Sequence, residues 1–323
     1  MTPTVPSDVL RPGPLRPALR ALAIASCLPY LALKAAWIAG SRIGIPDGSV
    51  LLENRAVTAA ANGLTVLMDG AVIVLALLLT RPWGLRVRAW LLTVPMWAAT
   101  GLLAPIMVGF PLHLATGALG GSSTRDVSDE PFLDAWVFDV VYTGFIVQGT
   151  ALGTLFVLYA RQRWGHLWQG TLRELPSAAT GPRMRGCAVA GALLALGPAV
   201  MHVLWAAGST RALPPRTVAE RSTDFRVLEA MHASFAVVAA AAVLVLAFRA
   251  VPAWPLRPVL AVAWTSAGAL GAWGGWMLLA TLLPSSDDAN RATAPLTLTY
   301  AGAMISGLLL SCAIAALLRR RDT

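Results

Sequence analysis

Six ionisable side chains stand inside stretches otherwise built from apolar residues: Lys34, Asp69, Asp139, His202, Glu229 and His232. A charge near the centre of a bilayer costs roughly 2.5–3.5 kcal/mol on insertion scales, so each of these groups needs a partner or a task. Lys34 is the only lysine among 25 basic residues. On a helix it lies about 9 Å below Gly40, close enough to the outer end for its ammonium to reach polar surroundings. Asp139, a similar short way below Trp136, is the carboxylate expected at that depth, and a Lys34–Asp139 ion pair is the expectation. Asp69 stands 14 residues from Arg55 and 12 from Arg81, near mid-membrane. Two readings stay open for it: a proton or cation site, or a protonated carboxyl hydrogen-bonded to a neighbouring helix. Glu229 and His232, at i and i+3, share a helix face at the depth of His202, and His113 closes the outer end of the third span. Such a set suits either a metal ion or polar residues lining a watery vestibule.

The chain repeats itself. LPYLALKAAWIAGS (28–41) returns as GPAVMHVLWAAGS (197–209), so that Trp37 matches Trp205, Gly40 matches Gly208, Ser41 matches Ser209 and Lys34 matches His202. YTGFIVQG (142–149) returns as YAGAMISG (300–307), and each copy runs on to an Arg cluster, Arg161 and Arg163 or Arg319 to Arg321. An Ala falls near the place of Asp69 in the second copy. The acidic group is therefore not something the duplication required.

Positioning these groups falls to helices. Hydrophobic residues make up 57% of the chain and charged ones 13%, and the mean hydropathy is +0.66, a composition that excludes an ordinary soluble domain. Eight apolar stretches, at 19–40, 56–80, 89–113, 135–160, 187–207, 227–248, 258–282 and 294–318, are each near the roughly 20 residues that cross a bilayer. The expected fold is all-α: a polytopic membrane protein with eight transmembrane helices in two parallel four-helix repeats. Residues 1–18 read as a disordered cytoplasmic tail, 19–163 as repeat one, 164–186 as a connector and 187–321 as repeat two. With the amino terminus inside, the cytoplasmic segments hold 16 arginines and the outer loops eight, which places both termini in the cytoplasm. The formal charge of +9 is spread over short flanking loops. It signals topology and contact with lipid headgroups rather than nucleic acid.

Smaller features fill out the pattern. Trp164, Leu167, Trp168 and Leu172 at i, i+3, i+4 and i+8 predict an interfacial helix in the connector, resting on the membrane or docking a membrane partner through its tryptophans. Pro95 and Pro105 predict kinks in the third span. Gly144, Gly149, Gly302 and Gly307 predict close helix contacts, and Trp273 and Trp276 among Gly271, Gly274 and Gly275 a packing seam. Cys27, Cys187 and Cys312 read as small buried side chains, not a disulfide or metal set. Tyr142 and Tyr300 read as packing residues with one hydrogen bond each. Nucleotide, hydrolase and zinc-protease motifs do not occur.

MHVLWAAGSTRALP (201–214) resembles a family of small bacterial four-helix membrane proteins of unassigned function, in which a His precedes Trp-x-x-Gly at the end of the first helix. The resemblance implies that this chain fuses two such units, with Lys34 departing from the His in the first, and it implies no activity or cofactor. The residues themselves favour a non-enzymatic protein that binds or moves a small molecule or ion between the halves near the outer leaflet. A membrane-embedded metal or redox enzyme and an accessory subunit are the alternatives.

Overall fold

The computed structural model describes residues 14–52, 55–123, 132–283 and 288–322. The Pro-rich segment 1–13 and Asp126, Asp129, Glu130 and Asp287 lie outside them. The described residues are all-helical, without strands. In order they form α1 (Leu15–Ala25), α2 (Leu28–Ile38), α3 (Arg55–Thr80), α4 (Ala89–Ala118), α5 (Ala135–Trp164) and α6 (Pro182–Ala206). The short α7 (Pro215–Ala219), α8 (Thr223–Phe248), α9 (Leu256–Gly268), α10 (Gly274–Leu282) and α11 (Ala294–Asp322) follow. Seven helical stretches among the described residues are long and apolar enough to cross a membrane, with α1 and α2 counted as one. The seventh expected span is built differently: α9 and α10 have 13 and 9 residues and are joined without a gap by a π-helical turn, Ala269–Trp273.

Several boundaries differ from expectation. The first helix begins at Leu15, inside the segment read as a tail, and α4 continues through Pro95, Pro105 and Pro111 to Ala118. Helix α8 begins at Thr223 because the Ser222 side chain caps it, accepting from the Phe225 N–H, with Asp224 in its first turn. A capped start next to an acidic residue is favoured whatever the hydropathy of that turn.

Large and small side chains are distributed for a lipid environment. On α6, Leu193, Leu196, Val200 and Val203 are more than half exposed, whereas Ala192, Ala195, Ala199 and His202 are buried. Small residues inward and branched ones outward is how helices approach closely when lipid already solvates the apolar surface. Glycines bring helices close: a Cβ on Gly101 of α4 would stand 2.2 Å from the carbonyl oxygen of Gly268 at the end of α9, and within the second half one on Gly307 of α11 would stand 2.3 Å from the Gly271 backbone. Helix α4 thus meets the end of α9, and α11 the π turn, backbone to backbone, at Gly271 of the expected seam and Gly307 of the expected close contacts.

The connector is a correction. Instead of an interfacial helix, α5 ends at Trp164, and two short 3₁₀ turns (Gly165–Trp168 and Leu172–Glu174) flank Gly170, whose φ of +85° no regular helix admits. Leu172 donates its N–H to Trp254 and Leu256 donates to Gly170. Leu172, Leu175 and Ala179 enter the core under α6, α8 and α9. Trp168 packs against that same core and Trp164 against Tyr159, so the chain itself covers much of this apolar pattern.

The repeated Trp-Gly-Ser motifs end their helices alike. Gly40 and Gly208 take φ of +94° and +98°, Ser41 donates back to Ala36 at 2.9 Å, and Ser209 to Leu204 at 2.9 Å. This is a Schellman end, which requires a left-handed residue and so favours glycine. The Trp37 indole donates to the Ile43 carbonyl at 2.7 Å and the Trp205 indole to the Arg211 carbonyl at 2.8 Å.

Candidate functional site

Each half carries a buried polar pair between its first two membrane helices. In the first, Lys34 on α2 donates from Nζ to Asn62 Oδ1 on α3 at 2.8 Å, and the ammonium lies 4.5 Å from the Tyr30 ring centroid and 5.0 Å from that of Trp37. In the second, His202 Nδ1 on α6 is 2.5 Å from Glu229 Oε2 on α8. These two pairs are separated by 28 and 27 residues. The acceptor of the Lys34 hydrogen bond is Asn62, not the expected Asp139. Asp139 is exposed near the start of α5 and engaged in an interaction of its own, whereas Lys34 is buried, facing α3. The aromatic cage and one amide oxygen do for the ammonium what a carboxylate would have done.

Around His202 the second half builds an aromatic cluster. The ring meets Trp205 edge-on at 5.2 Å, and His232 and Tyr300 have centroids at 5.4 and 6.3 Å; His232 in turn stacks on Trp273 at 5.9 Å. Three of the groups singled out in the sequence, His202, Glu229 and His232, are therefore neighbours. His113 is not with them: its Nδ1 meets Asp224 Oδ2 at 2.5 Å, while Thr116 donates to Asp224 Oδ1 at 2.6 Å, tying α4 to the start of α8. Among the described residues no group of three or more His, Cys, Asp or Glu is arranged to hold a metal ion.

Asp69 lies on α3 two turns beyond Asn62, roughly 10 Å further along the helix. It is 4% exposed, and Gln148 of α5, 2% exposed, is its hydrogen-bonding neighbour. That leaves Asp69 Oδ2 and Gln148 Oε1, both acceptors, without partners among the described residues. Both residues line a cavity of about 330 Å³ between α3, α4 and α5, to whose wall the second half contributes Trp273 and Trp276. Apart from Thr65, its walls are otherwise apolar and aromatic, with Tyr30, Tyr142 and Phe145 among them. Pockets that take small molecules span roughly 300–1,000 Å³ and pair apolar walls with a few convergent polar groups.

Sequence reasoning missed Asn62, Gln148 and Asp224. The first two escaped because only ionisable groups were weighed inside the spans; the near-equal spacing of 34 to 62 and 202 to 229 would have exposed Asn62. Asp224 was read as loop because the eighth helix begins before its apolar run does. No protein-family model, curated protein or solved structure matches this chain.

Proposed function

We propose that this chain is a multi-pass membrane protein that binds or moves a small molecule in the cavity between its first half and Trp273 and Trp276. The observation that carries the reading is the buried pair of unpartnered acceptors, Asp69 Oδ2 and Gln148 Oε1, on two residues that line that cavity. A buried polar group without a hydrogen bond costs about 1–3 kcal/mol, more if charged, and persists where an occupant or a function offsets it. On this reading α9, the π turn and α10 make an eighth span, both termini face the cytoplasm, and two parallel four-helix units descend from one duplicated unit. The matched helix ends at Gly40 and Gly208 and the matched pairs at Lys34 and His202 support the duplication. The eight spans set the parallel sense, because an even number per unit returns the chain to the same side.

Cysteine access tests it. With Cys27, Cys187 and Cys312 replaced by Ala, Ala98→Cys in the cavity wall should react with a small water-soluble thiol reagent added to membrane vesicles. Leu310→Cys, in the sealed core of the second half, should not. An Ala98→Cys that stays unreactive from both faces would remove the cavity as a route or site.

A further inference from the structure

We infer that the cavity selects a protonated primary or secondary amine with an apolar, aromatic-sized body. This rests on the cavity being the binding site proposed above. The two buried atoms without a partner on the residues lining the cavity are both acceptors, a carboxylate oxygen and an amide oxygen, so a head that satisfies both must present at least two N–H donors. A primary ammonium has three and a secondary one two, whereas a quaternary ammonium has none. An anion would meet the Asp69 carboxylate. A neutral apolar molecule would leave both oxygens unpaired, the costly outcome inside a membrane protein. A bare metal ion would find two oxygens where oxygen-binding cations take six or more. The walls point the same way: Tyr30, Tyr142, Trp273 and Trp276 line the space, and aromatic faces attract an ammonium as well as packing against its body. The built-in cation does not fill the role, because Lys34 is bound to Asn62 above the cavity and held over Tyr30 and Trp37.

The probe is 1-naphthylmethylamine, compared with its N,N,N-trimethyl derivative, the corresponding alcohol and the corresponding carboxylate. Binding to the full-length protein in neutral-lipid nanodiscs is measured by equilibrium dialysis against empty nanodiscs. The expected result is the amine binding at least about tenfold tighter than the other three. Asp69→Asn should abolish that preference and Ala99→Phe should block binding by filling the cavity. The comparison among ligands uses the unmodified protein, so a variant that fails to fold leaves the test intact. If the alcohol matches the amine and Ala99→Phe blocks both, the cavity is a binding site and the amine assignment is overturned. Equal affinity for the trimethyl compound would overturn the hydrogen-bonded ammonium. Absence of any binding sensitive to Ala99→Phe would overturn the assignment together with the site beneath it.

Discussion

The two halves place polar groups at matching positions and then treat them differently. In the second half His202 and Glu229 satisfy each other in one short hydrogen bond, and the positions corresponding to Asp69 and Gln148 are Ala236 and Ser306, both fully buried. Ser306 returns its hydroxyl to the Gly302 carbonyl at 2.6 Å. In the first half the ammonium of Lys34 leans on a neutral amide, and a carboxylate and a glutamine stand below it beside open space. At these matching positions the second half pairs its polar groups, whereas the first leaves two acceptors free. On the proposed reading the first half takes the ligand, and the second is the frame that holds Trp273 against it.

The largest effect should come from breaking the closed pair. His202→Leu or Glu229→Leu alone should destabilise the full-length protein by about 3–5 kcal/mol, because each leaves a buried group unpaired, and the double variant should recover much of that loss. Thermal melts in one detergent check this; a double-mutant cycle without coupling would refute the pairing. Next is the glycine seam. Gly101→Ala and Gly307→Ala should each cost about 1–3 kcal/mol by forcing backbones apart, while Gly63→Ala, which meets open space, should cost nothing or add stability.

How far the sequence could be read follows the same division. Hydrophobic runs, arginine placement and the Trp-Gly-Ser repeats are local patterns, so the helices and their matched ends were legible. The connector was misread because a periodic set of apolar residues does not reveal whether headgroups or a core will cover it; Gly165, Gly170 and Pro176 were the opposing signs. Lys34, Asp69, His202, Glu229 and His232 were identified by the cost of placing them in apolar spans. Which of them meet was not legible. The Lys34–Asp139 pairing failed because depth along a helix says nothing about which face a side chain takes. The cavity depends on how far α3 stands from the second half, a tertiary quantity.

Smaller effects sharpen the contrast. Lys34→Met should weaken stability less than breaking the His202–Glu229 pair, since Asn62 stays neutral when orphaned. It should also strengthen amine binding by removing a positive charge that interacts with Asp69. Unchanged affinity would detach Lys34 from the site. Trp37→Phe and Trp205→Phe should cost nearly equal amounts, about 1 kcal/mol each for one indole hydrogen bond, and markedly unequal losses would weaken the case for matched units. Ser123→Cys should label only from outside and Gln169→Cys only from the cytoplasmic side, and the reverse would invert the topology.

The central claim, an occupied first half against a sealed second, is tested most directly by a cryo-electron-microscopy map of the full-length protein in nanodiscs saturated with 1-naphthylmethylamine. The account predicts non-protein density within hydrogen-bonding distance of Asp69 Oδ2 and Gln148 Oε1, running between Tyr142 and Trp273, and unaltered side chains around His202. A cavity collapsed by inward movement of Trp276, or filled by an acyl chain that leaves both oxygens untouched, would contradict it.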